Sequence, residues 1–163
     1  PDETVADRAF KIILWELENL PLEVFGEKRV TSTMEYVLKK IEDDDGIYVG
    51  EVSDSKKHGV GKYNYKNGNV YEGEMFKGVM QGKGKYTWKN GNIYEGTFVA
   101  DKMNGYGKLT FSNGDIYEGE FVNNKACGEG KMVNKSGEAY EGGFFNNLRQ
   151  GRGKEFMKNG NVF

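Results

Sequence analysis

The chain has 163 residues, 24 of them glycine, and its 23 basic and 25 acidic side chains leave a formal net charge of −2. So balanced a charge excludes the strongly basic footprint of a nucleic-acid-binding protein, and so much glycine leaves too few aliphatic residues for a thick core. The single cysteine excludes an intramolecular disulfide and a cysteine-rich zinc site, and it favours an intracellular protein.

Residues 1–46 are acidic, with six basic against twelve acidic side chains, and contain only two of the glycines. Their apolar residues first recur at helical spacing, which predicts an amphipathic helix ending at Pro21. The stripe consists of Ala6, Phe10, Ile13, Leu17 and Leu20.

A second amphipathic helix is predicted after Gly26, because Ser32 and Glu35 form a capping-box pattern ahead of a second stripe. That stripe consists of Val30, Met34, Val37 and Ile41. Two helices of this size cannot bury their apolar faces against each other alone. One interpretation is that they fold onto the adjoining sheet and cover its open edge, and the other is that they dock a partner protein or a second copy of the chain.

Residues 47–163 form a second region, in which the sequence repeats every 23 residues without insertion or deletion. Each copy has an aromatic residue followed two positions later by glycine, then a GxGK stretch, then a turn dipeptide such as Asn67-Gly68. The copies begin near Tyr48, Tyr71, Tyr94, Tyr117 and Tyr140, and Phe163 stands where a sixth would open, so further repeats are expected beyond it. Two alternating runs between turn residues predict one β-hairpin per copy. We therefore expect an elongated, single-layer antiparallel sheet of five hairpins.

The register of these hairpins follows from the requirement that each face stay chemically uniform. A two-residue turn would place rings opposite charges, whereas a three-residue loop, residues 66–68 with Gly68 in the left-handed region, avoids this. The predicted partners are Tyr63 with Tyr71, Lys62 with Glu72, Gly61 with Gly73, Lys85 with Glu95, Gly84 with Gly96, Lys108 with Glu118, Gly107 with Gly119, and Lys131 with Glu141.

One face of the predicted sheet then carries rings, with glycine pairs leaving slots for them, and the other carries Lys–Glu pairs. The rings thin out in the fourth copy, which has Met132 and Asn134 at two aromatic positions, and in the fifth, which has Glu155 and Met157. The first copy has Val49 where later copies have glutamate, so an apolar contact from the preceding segment is expected there.

The sequence offers no catalytic constellation. The GxG pairs do not continue to GxGxxG or to GK[ST], which phosphate-binding loops require. His58 is expected at a polar loop position, since later copies have Gln, Asn or Cys there, and Cys127 has no base that could be placed beside it. Residues 43–45, all aspartate, are expected to be a solvated helix end rather than an ion site. No enzyme activity, cofactor or metal is predicted.

The Tyr-x-Gly start, the GxGK stretch, the turn dipeptide and the 23-residue period resemble the MORN repeat, in five tandem copies over residues 47–163. The resemblance implies a non-enzymatic scaffold or targeting module at a membrane, a cilium or the cytoskeletal cortex. It also implies an aromatic groove that binds an extended or helical segment of a partner protein. The corresponding residues are Tyr48, Tyr63, Tyr65, Tyr71, Tyr86, Trp88, Tyr94, Phe98, Phe111, Tyr117, Phe121, Tyr140 and Phe144.

Two other functions remain open. One is direct binding of acidic membrane lipids by loop lysines, which are Lys66, Lys77, Lys89, Lys102 and Lys125. In the other, the repeats are the regulatory region of a larger enzyme such as a lipid kinase. Lysines in loops also keep an open sheet soluble, so their presence alone does not show that the protein binds lipids.

Overall fold

The structure is a computed structural model that describes residues 25–31 and 34–163, and the chain divides into two units, residues 1–89 and 90–163. In the first unit the strands are β1 (Phe25–Thr31), β2 (Met34–Glu42), β3 (Gly46–Ser53), β4 (Lys56–Tyr65), β5 (Val70–Phe76) and β6 (Val79–Thr87). In the second they are β7 (Ile93–Val99), β8 (Lys102–Thr110), β9 (Ile116–Val122), β10 (Lys125–Val133), β11 (Ala139–Phe145) and β12 (Leu148–Phe156). Within each unit, every strand pairs antiparallel with the next strand in sequence, so each unit contains an open antiparallel sheet.

The second predicted helix is wrong, because its residues form β1 and β2. Val37 and Ile41, four positions apart, fit both the helical period and the period of two that places them on one face of a strand. The strand conformation is favoured because without β2 the edge of β3 would have unpaired backbone groups. β2 hydrogen-bonds along this edge, with Ile41 opposite Tyr48. The first predicted helix and Ser32 lie outside the described residues.

The predicted register is confirmed wherever both strands belong to one unit. Tyr63 pairs with Tyr71 and Lys62 with Glu72 across β4 and β5. The further predicted pairs found are Gly61 with Gly73, Lys108 with Glu118, Gly107 with Gly119, and Lys131 with Glu141. Gly68 has a φ of 91°, as the three-residue loop requires.

The other connection of each repeat is a two-residue turn with positive φ at both central positions, which is the type I′ geometry that suits the twist of a hairpin. Only one of these turns contains glycine, at Lys77-Gly78. The others are Asp54-Ser55, Ala100-Asp101, Asn123-Asn124 and Asn146-Asn147. Most of these turns therefore hold non-glycine residues in the left-handed region.

Side chains in the loops join each repeat to the next. The Asn92 side-chain carbonyl accepts a hydrogen bond from the Ser112 backbone N–H (2.9 Å). The Asp115 carboxylate accepts one from the Lys135 backbone N–H (2.9 Å). At the opposite ends of the strands, the side-chain carbonyl of Asn124 accepts a hydrogen bond from the backbone N–H of Met103 (2.8 Å). Both edges of the second unit are thus held in register by bonds between neighbouring repeats.

The core is a row of tyrosine rings lying across glycine pairs. Tyr94 is fully buried, and its ring covers Gly96 and Gly107, which pair across β7 and β8. Its hydroxyl donates to the carbonyl of Thr97 (3.0 Å). Tyr48, Tyr71, Tyr117 and Tyr140 are buried in the same way at the start of the other repeats.

Phenylalanine rings fill the space between these tyrosines. The Tyr94 ring meets Phe98 and Phe121 edge to face, with centroid distances of 5.1 and 5.0 Å. Tyr117 meets Phe121 and Phe144 in the same way, at 5.1 and 4.9 Å. These are favourable aromatic geometries. A thin sheet thereby obtains a core without a second layer of secondary structure.

Replacing Gly107 by alanine is expected to destabilise the protein by about 1–3 kcal/mol, because a Cβ there would lie 2.5 Å from the Tyr94 ring. The matched control is Gly137→Ala, where φ is 91° and no heavy atom lies within 4 Å. This control changes the backbone preference alone and should cost about 1 kcal/mol. Urea denaturation followed by circular dichroism measures both, and equal losses would contradict the steric explanation.

Candidate partner-binding surface

The structure places the thirteen predicted groove residues in two groups. Nine are buried, with at most 7% of the residue surface exposed, and they are Tyr48, Tyr63, Tyr71, Tyr94, Phe98, Tyr117, Phe121, Tyr140 and Phe144. Four are half-buried, and they are Tyr65, Tyr86, Trp88 and Phe111. Among the thirteen, these four have surface to offer a partner, while the others form the layer beneath them.

Three of the four half-buried rings lie together in the first unit. Tyr65, Tyr86 and Trp88 are called the aromatic row here. The centroids of Tyr65 and Tyr86 are 6.0 Å apart and those of Tyr86 and Trp88 are 4.8 Å apart. Tyr65 also stacks on the buried Tyr63 at 4.2 Å. Strand alternation places all of them on the face that carries the glycine pairs.

Loop side chains hold the aromatic row in place. The Asn69 side-chain N–H donates to the Tyr86 hydroxyl (2.9 Å). The side-chain carbonyl of Asn69 accepts from the backbone N–H of Lys89 (3.0 Å). The rings therefore have one arrangement set by packing below and hydrogen bonds at the edge. Such preorganised rings lose little conformational entropy when a partner binds.

The second unit presents fewer rings on this face. Leu109 on β8 and Phe111 just beyond its end are half-buried. Met132 on β10 and Asn134 just beyond its end take the corresponding positions in the next repeat. Met157, two repeats beyond Phe111, is 37% exposed. The surface becomes less aromatic and more polar along the chain, as the sequence indicates.

The acidic run at residues 43–45 joins two strands, so the expectation of a solvated helix end is wrong. The Asp43 carboxylate accepts hydrogen bonds from the backbone N–H of Gly46 (3.0 Å), from Lys57 Nζ (2.5 Å) and from the Tyr63 hydroxyl. Lys57 Nζ also lies 3.8 Å from the Tyr63 ring centroid, a cation–π contact. Burial acts to raise the pKa of Asp43, but hydrogen bonds from Lys57, Tyr63 and the Asp45 backbone N–H, with the charge of Lys57, outweigh it and hold the pKa well below its usual range. The cluster fastens the connection between β2 and β3 to the first repeat.

His58 lies within β4 and is 6% exposed, so the expectation of a polar loop position is wrong. Its ring packs on Phe76 with a centroid distance of 4.9 Å. Cys127 is a half-buried free thiol on β10. In the part of the chain that the structure describes, no three or more His, Cys, Asp or Glu side chains are grouped as metal ligands.

All five lysines proposed to contact lipids are exposed, but they lie at two opposite ends of the strands. Lys66 and Lys89 belong to three-residue loops, whereas Lys77, Lys102 and Lys125 lie in or directly after two-residue turns. A membrane that meets one edge of the sheet therefore contacts only one of the two groups within a repeat. Over residues 25–31 and 34–163, no helix has the length and apolar character needed to cross a membrane.

Sequence analysis missed two features of the other face. Val99, Val122 and Phe145, the last strand residues before three two-residue turns, are each about half exposed, at 43, 47 and 53%. Their 23-residue spacing was the signal that could have revealed them. The second feature is a structural role for glutamate. The buried Glu51 accepts at Oε2 from the Val60 N–H (2.7 Å), and Glu74, which is half-buried, accepts at Oε2 from the Lys83 N–H (2.6 Å).

Comparison with known proteins gives one family. The family model for the MORN repeat matches five tandem segments, at residues 48–70, 71–93, 94–116, 117–138 and 140–162. A search of curated proteins finds no significant match. The matched segments cover well over half of the chain, and they begin at the five predicted tyrosines, each of which has its ring on a glycine pair. The chain therefore belongs to the MORN repeat family.

Proposed function

We propose that the protein is a non-enzymatic scaffold that binds a segment of a partner protein on the aromatic row. The observation that carries the proposal is that these three rings keep exposed surface while nine of the predicted groove residues are buried. MORN repeats are protein- or membrane-interaction modules, which agrees with a binding role.

The rings suit apolar anchors from a partner. Large aromatic side chains held rigidly over a packed layer are typical of residues that dominate interface energies. The exposed Lys66 and Lys89 flank the aromatic row, so a segment with acidic residues around its apolar anchors would fit best. An extended or helical segment could supply such anchors at regular spacing.

The cellular setting forms part of the proposal. Tethering of the partner at a membrane-apposed, ciliary or cortical cytoskeletal structure is supported by family membership alone. Within each unit the paired strands give a repeat frame that can present a binding surface on one face while its loops or edges attach elsewhere.

The test is affinity capture from cell extract with the unchanged protein, with Tyr86→Ala/Trp88→Ala, and with Tyr106→Ala. Tyr106 is an exposed ring, at 62%, on the Lys–Glu face of the second unit, so Tyr106→Ala is the matched control. The double variant should lose specific partners by tenfold or more, since a buried aromatic anchor contributes about 2 kcal/mol or more. Equal recovery by all three proteins, each shown to be folded by circular dichroism, would overturn the proposal.

A second candidate function, binding of acidic membrane lipids, has its own supporting observation. Lys102 and Lys125 stand beside the exposed Val99, Val122 and Phe145, so cationic and apolar groups share one edge of the second unit. Binding to vesicles rich in acidic lipids should then weaken steeply with salt, and Lys102→Glu/Lys125→Glu should abolish it. Partner binding through the aromatic row should change little in this variant.

A further inference from the structure

The first repeat has an apolar patch on the face that carries charges in the later repeats. Val49 and Val60 form its centre, and Leu38 and Ile47 pack against them. These four residues are called the valine patch here. They lie on three adjacent strands, with Leu38 on β2, Ile47 and Val49 on β3, and Val60 on β4. Val49 pairs with Lys62 and Val60 with Glu74, which places the patch on the Lys–Glu face.

Corresponding positions in the other repeats are polar or exposed. The positions equivalent to Val49 are glutamate in every later copy. Those equivalent to Val60 are Lys83, Tyr106, Glu129 and Arg152. Tyr106 is 62% exposed, whereas Val60 has no exposed surface. The valine patch is thus covered where the same face of the second unit is open.

The cover must come from the same chain, because Val60 is buried within a single copy. The strands on either side of β4 lie in the same sheet, so they cannot close its face. β1 brings the preceding chain to the right place, since Phe25 pairs with Leu38, itself a member of the patch. Leu20 is five residues before Phe25, a tether of at most about 17 Å.

The segment before Phe25 has the size and pattern that the patch requires. Three strands span about 10 Å, which matches the width of one α-helix. The apolar stripe containing Phe10, Ile13 and Leu17 provides one such face. We propose that residues 4–20 dock as an amphipathic helix on the valine patch of the first repeat. The aromatic row lies on the opposite face, so this inference does not depend on the proposed function.

The test compares two equivalent positions with a thiol reagent. In a Cys127→Ser background, Val60→Cys should react at least tenfold more slowly than Tyr106→Cys. Adding Phe10→Gln/Leu17→Gln should raise the rate at position 60 tenfold or more and leave position 106 unchanged. The matched control is Lys11→Gln/Glu18→Gln, which keeps the net charge and lies on the opposite side of the predicted helix. This control should change neither rate.

Three outcomes would overturn the proposal. The first is a fast reaction at position 60 in the otherwise unchanged chain, and the second is a slow reaction there that the Phe10 and Leu17 substitutions do not alter. The third is a rate at position 60 that depends on protein concentration, which would assign the cover to a second copy. A disulfide between Ile13→Cys and Val60→Cys within one chain, absent with Lys11→Cys, supports docking even if the glutamine variants fold poorly.

Discussion

Tyr94→Ala should lower the free energy of unfolding by about 3–5 kcal/mol, the cost of removing a fully buried ring. The ring covers two glycines and meets Phe98 and Phe121 edge to face, so its loss leaves a cavity floored by bare backbone. The glycines below the ring have no side chains to fill that space, so only Phe98 and Phe121 can relax toward it. Urea denaturation followed by circular dichroism measures the loss.

Two further variants separate the sources of this stability. Tyr94→Phe keeps the ring and removes the hydrogen bond to Thr97, at a cost of about 1 kcal/mol. Tyr106→Ala removes an exposed ring next to Gly107 in sequence but on the other face of the strand, and it should stay within about 0.5 kcal/mol of the unchanged protein. If Tyr94→Ala and Tyr106→Ala had similar effects, the tyrosine row would not be the core.

Alkaline unfolding is the second large effect expected. Burial raises the pKa of Tyr94 and of Tyr117 to about 12, from an ordinary value of 10.0. Burial, with the nearby Glu51 and Tyr71, also raises the pKa of Tyr48. Because the folded state favours the neutral phenol, this stability is fully present below about pH 10 and is lost as the pH rises through 12. The loss at pH 12 is at most about 2 kcal/mol for each of Tyr94 and Tyr117, because solvent screening of the ionised phenol reduces the full effect of the pKa shift.

The measurement is a titration from neutral to strongly alkaline pH, with circular dichroism and tyrosinate absorbance recorded together. We expect the ionisation of the buried tyrosines to coincide with loss of the β signal. In Tyr94→Phe/Tyr117→Phe the loss of stability between pH 10 and 12 should be smaller, whatever the stability at neutral pH. Full ionisation near pH 10 with a native β signal would refute the assignment.

The sequence was sufficient to predict the hairpins and their register because both depend on local chemistry. Asn67-Gly68 marks a loop whose glycine adopts a φ of 91°, and alternation then pairs Lys131 with Glu141, whose side chains meet at 2.6 Å. The type I′ turns were not predicted, since Ala100-Asp101 carries no glycine. There the neighbouring strands impose positive φ on residues that do not favour it.

The binding groove was harder to predict than the fold, because one set of rings can either fill a slot or line a surface. The pattern places Tyr71 and Tyr86 on the same face, yet Tyr71 is fully buried and Tyr86 is half-buried. Tyr71 lies at the start of a repeat, where its ring reaches across Gly73 and Gly84. A ring that fills a glycine slot cannot also present its face to a partner, and that choice is made by side-chain packing rather than by strand period.

The consecutive pairing of strands within each unit also has a kinetic consequence. Every pair in the ladder joins neighbours in sequence through a turn or loop of two or three residues or a short connection, so native contacts have small sequence separation. Little loop-closure entropy is then lost before each hairpin gains its hydrogen bonds, and such low contact order is associated with fast folding. Folding can begin at any hairpin of a unit and spread in both directions. Each folded repeat, with its tyrosine packed on a glycine pair, then provides the surface against which the next repeat packs.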